Sequence, residues 1–259
     1  PTGTGVAIVN GSVVFSSSGV ITDNSGFAVD IDNHDSGNAT FSGNITSTGT
    51  GIRVQNCGGG TKLFSGASKS LTTTTNAAVT LASNTGATIN ITGGGLVIST
   101  TSGTGYSATG GGTISVTGST NTITSTTGTA MNVANTNISA ANLTFLSISA
   151  NGAPNGIVLN TTGGSGGLSV TGSGATNGSG GTIQNITNRG VSATSSINLS
   201  LKNITFTNAN TADGGGCGAA DNSGCNAAIY MNTVTNAVMD NVDVNGAAQQ
   251  GINLKEING

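Results

Sequence analysis

The chain has 259 residues with 44 glycines, two prolines and no tryptophan; 6% is charged, against roughly 25% in an ordinary globular domain. Six Lys and Arg against nine Asp and Glu give a net charge of −3, so the chain lacks the basic footprint a nucleic-acid backbone requires. It also lacks an apolar run of membrane-spanning length and the every-third-Gly, Pro-rich pattern of collagen. An apolar content of 34% at so low a net charge argues against disorder.

From the N-terminus onward one short pattern recurs: a small residue, then apolar, any, apolar. It appears as Gly5-Val6-Ala7-Ile8, Gly26-Phe27-Ala28-Val29, Gly51-Ile52-Arg53-Val54, Ala78-Val79-Thr80-Leu81 and Gly105-Tyr106-Ser107-Ala108. It continues as Gly128-Thr129-Ala130-Met131, Gly156-Ile157-Val158-Leu159, Gly190-Val191-Ser192-Ala193, Ala228-Ile229-Tyr230-Met231 and Gly251-Ile252-Asn253-Leu254. The small residues are spaced by 21, 25, 27, 27, 23, 28, 34, 38 and 23, about 27 on average. Between them lie alternating pairs (Ile89 and Ile91, Ile114 and Val116, Ile204 and Phe206, Val242 and Val244) with the period of two of a half-buried strand.

Two or three short strands in so short a period make one coil of a parallel β-helix, which buries its inner face only by stacking on its neighbours. Stacking at about 4.8 Å makes ten coils a rod about 45–50 Å long. Asn10-Gly11, Asn151-Gly152, Asn155-Gly156 and Asn245-Gly246 are expected to supply corners of positive φ. Leucine is too scarce for a leucine-rich repeat, and a propeller blade needs about 40 residues; an array of β-sandwiches is the remaining rival. The two long spacings fall on low-complexity stretches, read as loops inserted at about 163–181 and 210–226 of a single solenoid over residues 1–259.

The second of those stretches holds Cys217 and Cys225, read as a disulfide in an oxidising compartment because no His lies nearby and no CxxC spacing exists. Cys57 is then a small side chain at a corner. The chain opens without Met or a signal peptide and stops within a coil. It is expected to be a mature product or a piece of something larger, with coil ends covered by further chain, a cap or another copy.

Three segments, Gly128-Thr129-Ala130-Met131-Asn132-Val133, Asn142 to Gly152 and Asn155-Gly156-Ile157-Val158-Leu159-Asn160, resemble large bacterial β-strand-repeat proteins. The run Leu201-Lys202-Asn203-Ile204-Thr205-Phe206-Thr207-Asn208 resembles coils of the pectate-lyase-like β-helix superfamily. The resemblance implies an all-β, single-stranded, right-handed parallel β-helix of about ten coils, secreted or on a bacterial cell surface. It carries over no catalytic residue.

Chemistry is sparse. The acidic cluster is Asp23 with Asp30, Asp32 and Asp35. With Phe27, Val29 and Ile31 inward, Asp30 and Asp32 point outward, and aligning the next coil sets Arg53 diagonally beside Asp30. Asp30, Asp32 and Arg53 are the candidate catalytic set, and Asp30, Asp32 and Asp35 the candidate Ca²⁺ ligands; the alternative is a solvated corner with ion pairs. His34 reads as a turn residue, Asp243 is expected to face outward near Glu256, and no cofactor besides Ca²⁺ is indicated. Thr-rich runs, residues 72–75 and Thr120-Asn121-Thr122-Ile123-Thr124, would form an ice-binding face only if stacked in register, against which the variable coil lengths argue.

The expected role is a structural or adhesive β-helix of an extracellular or cell-surface fibre, self-associating through its ends or continuing in a longer chain. A carbohydrate-active β-helix, with a glycan as partner, is the alternative; neither nucleic acid nor a membrane span enters.

Overall fold

The computed structural model describes residues 3–215, 217 and 224–259, which form 26 strands and no helix. Every strand pairing is parallel and joins a strand to its counterpart in the next coil. The strands fall on three faces. The first runs from Val6–Val9 through Phe27–Asp32, Gly51–Gln55 and their successors to Gln250–Asn258. The second begins at Phe15–Ser17 and Ala39–Phe41, and the third runs from Ile21–Asp23 to Asp243–Asn245. The fold is thus a parallel β-solenoid of about ten turns, as expected from the recurring pattern.

Alternation puts one side of every strand into a narrow core. On the first face Val29, Ile52, Val79, Tyr106, Met131, Ile157, Val191 and Ile229 stack in register, all essentially inaccessible. On the second, Phe15, Phe41 and Phe64 form a column with ring centroids 5.5 and 5.1 Å apart. The ladder corrects two coil assignments. Val6 pairs with Val29 rather than Phe27, and Tyr106 with Met131 rather than Thr129. Phe27 lies outside the core, across a bulge that separates it from Val29 in the pairing with the third coil.

Corners carry the left-handed residues. Asn10, Asn33, Asn56, Ser83, Asn135, Thr161, Ser195, Thr233 and Glu256, each directly after the matched first-face pairs, have φ between 47° and 61°. Asparagine tolerates this conformation because its short amide bonds locally, and Asn33 Nδ2 donates to Asn10 Oδ1 at 2.7 Å. Of the four Asn-Gly pairs, Asn155-Gly156 lies in the strand Asn155–Thr162 and not at a corner; the other three do place Gly at positive φ. Gly51 has no substitute: at φ 92°, a Cβ would sit 2.1 Å from the Ala78 carbonyl oxygen of the next coil.

Length variation falls mostly at corners; an exception is the second-face strand Asn137–Phe145, which takes up three extra residues between Ile138 and Leu143. The 163–181 stretch is two loops either side of the second-face strand Leu168–Val170, and residues 210–226 join the third-face strand Thr205–Thr207 to the first-face strand Ala227–Asp240. The third-face strands keep their pairing past both insertions.

Candidate functional site

The structure brings Asp30 and Arg53 together on the outside of the first face. They are direct partners in the ladder, not diagonal ones, because the second coil sits two residues further along than the aligned glycines suggest. Arg53 Nε and Nη2 donate to the two Asp30 carboxylate oxygens, each at 2.8 Å, and its guanidinium lies 4.4 Å from the centre of the Phe27 ring. Phe27, expected inward, is the platform of this pair. The bond to Asp30 holds the Arg53 guanidinium more firmly protonated than usual. Both carboxylate oxygens of Asp30 are engaged by Arg53.

The neighbouring acids are each held by their own partners. Asp32 accepts from Asn56 at 2.9 Å and Gln55 at 2.8 Å, and these bonds, the Asn56 one foremost, hold its carboxyl below the usual carboxylate range. Asp23 accepts from the backbone N–H groups of Ser25 and Gly26 at 3.0 and 2.7 Å and shapes its own turn. Asp35 is exposed at the following corner. Among the described residues no three His, Cys, Asp or Glu side chains converge as metal ligands would.

Beneath this corner lies a buried polar group built on His34 and Lys62. His34 is fully buried with Nε2 2.8 Å from the Val13 carbonyl oxygen, so it is more than a turn residue. Lys62, also fully buried, donates to the carbonyl oxygens of His34, Gly37 and Gly59 at 3.0, 2.7 and 2.9 Å. All three ammonium hydrogens are used, which is how a charge survives inside a β-solenoid. Lys69, one face further on, donates to the carbonyls of Gly66 and Thr92. Burial pushes Lys62 down and Lys69 down to about 8, and it pushes the Cys57 thiol up. A signal was present: Lys62 occupies the ladder position of Ala39 and Ile89, and Gly58-Gly59-Gly60 beside it supplies approachable carbonyls.

Towards the C-terminus, Asp243 and Glu256 are not neighbours. Asp243 on the third face accepts from Asn177, while Glu256 at the corner after the first face accepts from Thr233 at 3.0 Å. Asp240 pairs with Lys202 at 2.9 Å in the open, a contact worth about 0–1 kcal/mol. Cys217 and Cys225 are joined by a disulfide, with Cα atoms 5.0 Å apart. Close to it, Arg189 stacks 3.6 Å from the centre of the Tyr230 ring and donates to the Cys225 carbonyl.

Removing the Arg53 side chain is expected to destabilise the fold by about 1–2 kcal/mol, more than an ordinary surface pair, because the Asp30 carboxylate is only 13% exposed. Urea unfolding of Arg53→Ala against Asp30→Asn, Arg53→Ala measures this. A loss confined to the single variant identifies the stranded carboxylate as its source.

No protein-family model, curated protein or solved structure matches the chain. Its class is set by the architecture alone, a parallel β-solenoid.

Proposed function

We propose that this chain is a structural module of an extracellular or cell-surface assembly, a stiff rod that joins further coils at its ends. The observation that carries the reading is the pair of end coils. Val9, Val13, Val14 and Val20 at one end and Val238, Met239, Ile252 and Leu254 at the other are 38–73% exposed, and Leu201, Ile229 and Met231, the ladder partners of Met239, Ile252 and Leu254 one coil further in, are fully buried. Each end also presents one side of its strands without a neighbouring strand, a template for a second chain. The disulfide supports an oxidising location.

Light scattering and electron microscopy across a concentration series test this. Filaments with a subunit repeat near 45–50 Å, about ten coils at the strand spacing, are the expected result; a monomer at every concentration removes association through the ends. The carbohydrate-active alternative runs through Asp30, Asp32 and Arg53, whose polar atoms are occupied by one another and by Gln55 and Asn56. Under the structural reading, Asp30→Asn, Arg53→Ala leaves assembly intact; an activity on polysaccharide that this change abolishes overturns it.

A further inference from the structure

Irregular coil lengths argue in the sequence against any ordered array of threonines, but the length changes fall outside the third face and leave it in register. Its outward positions form ranks along the rod. One rank runs Thr22, Thr46, Ser70, Val97, Thr122, Ser147, each the ladder partner of the one before. Beside it Thr72, Ser99, Thr124 and Ser149 are likewise partners, and Thr182, whose N–H bonds to the Ser149 hydroxyl at 3.1 Å, extends the rank. Thr74, Thr101 and Thr126 open a third rank, tied by Thr101 N–H to the Thr74 carbonyl at 3.2 Å.

The result is a two-dimensional lattice of hydroxyls, interrupted at Val97, about 4.8 Å apart along the rod and about 6.7 Å apart across it. Threonine, being β-branched, holds its hydroxyl and methyl in few orientations, so the threonine positions of the lattice are stiff. Leu71, Ile98, Ile123 and Ile148 behind it are fully buried and fix the strands from within. The face is also uncharged. From Thr22 to Thr207 no outward position of a third-face strand carries an ionisable group, and the lysine in these strands, Lys69, points into the core. The first face, by contrast, carries Asp30 and Arg53 outside. Between the second and third ranks a groove of about 260 Å³, lined by hydroxyls and amides of Thr124, Thr126, Ser149, Asn151, Thr182 and Gln184 together with apolar atoms, is roomy enough for ordered water.

We propose that the third face binds ice. A crystal of ice presents oxygen atoms in repeats of comparable size to these ranks, and a neutral hydroxyl lattice can join that array without stripping a hydration shell from a charge. A polysaccharide fits the face less well, because no aromatic ring points outward there for a sugar to stack on.

The test is freezing-point hysteresis and ice-crystal shape under the microscope for the purified chain. Comparison is made with Thr124→Lys, at the centre of the lattice, and Ser107→Lys, at an outward position of the first face in the same coil. The expected result is a hysteresis gap and faceted crystals for the parent and Ser107→Lys, and loss of both for Thr124→Lys with an unchanged circular dichroism spectrum. Should Thr124→Lys fail to fold, Ser99→Lys at another exposed lattice position takes its place. Round crystals and no gap from the folded parent overturn the proposal, as does equal loss from Ser107→Lys. Adsorption to an insoluble neutral polysaccharide without any effect on ice overturns it in favour of a glycan surface. The filament test reads the ends of the rod and this one its side, so failure of either leaves the other standing.

Discussion

Replacing Phe64 by Ala is expected to cost about 3–5 kcal/mol, the range for removing a buried aromatic side chain. Phe64 is wholly inaccessible, stacked 5.1 Å from Phe41 with the rings nearly parallel, and in ladder register with Phe41 below and Ile91 above. The size of the loss follows from the architecture. A globular core shrinks around a missing ring by shifting whole elements, but here the strand Thr61–Phe64 is hydrogen-bonded on both sides to strands that are fixed in turn. The cavity therefore stays open. Phe64→Leu is expected to lose about half as much or less, since it keeps most of the volume. Urea unfolding midpoints of the two variants check this. A cost below about 1 kcal/mol for Phe64→Ala would mean that the coil collapses after all.

Stability is expected to rise, not fall, as the solution is made mildly alkaline. Burial sets Lys69 at about 8 in the folded chain against an ordinary value of 10.5. Between those values the unfolded chain holds the proton that the folded chain has released, so the stability curve slopes upward with pH. Below about 8 both states are charged and the slope vanishes. The full difference is about 3 kcal/mol, of which about 1 kcal/mol is recovered by pH about 9. Lys62 is displaced in the same direction. Two groups oppose this higher up: burial raises Cys57 above its ordinary 9.0 and Tyr106 above its ordinary 10.0, so each favours unfolding once its unfolded form ionises. The clean window therefore lies between about 8 and 9. Thermal melts across it should climb for the parent chain and stay flat for Lys69→Met; a parent curve that falls through the window would refute the assignment.

The two buried lysines also mark what a sequence of this kind conceals. Alternation revealed the strands, and repetition revealed the stacking, because both are periodic and both follow from burying one side of each strand. Register was less legible. Gly26-Phe27-Ala28-Val29 and Ala28-Val29-Asp30-Ile31 satisfy the same pattern two residues apart, and a period of two cannot choose between them. The ladder chose the second, which put Phe27 outside and set Arg53 directly opposite Asp30. Lys62 and Lys69 were harder to read for the opposite reason. A lysine among inward positions breaks the pattern, and only the carbonyls of Gly37, Gly59, Gly66 and others, brought close by the winding of neighbouring coils, make the breach tolerable.

The gathering of most length changes at the corners has a hereditary side. Because each coil touches chiefly the coil before and the coil after it, a duplication or deletion of one whole period changes the length of the rod while every remaining side chain keeps its face. Unequal recombination between the repeats of such a gene is then a source of viable variants rather than of broken ones. Reach from a surface, or the extent of a flat hydroxyl side, becomes a trait that can be adjusted in steps of one coil, independently of the point mutations that shape each corner.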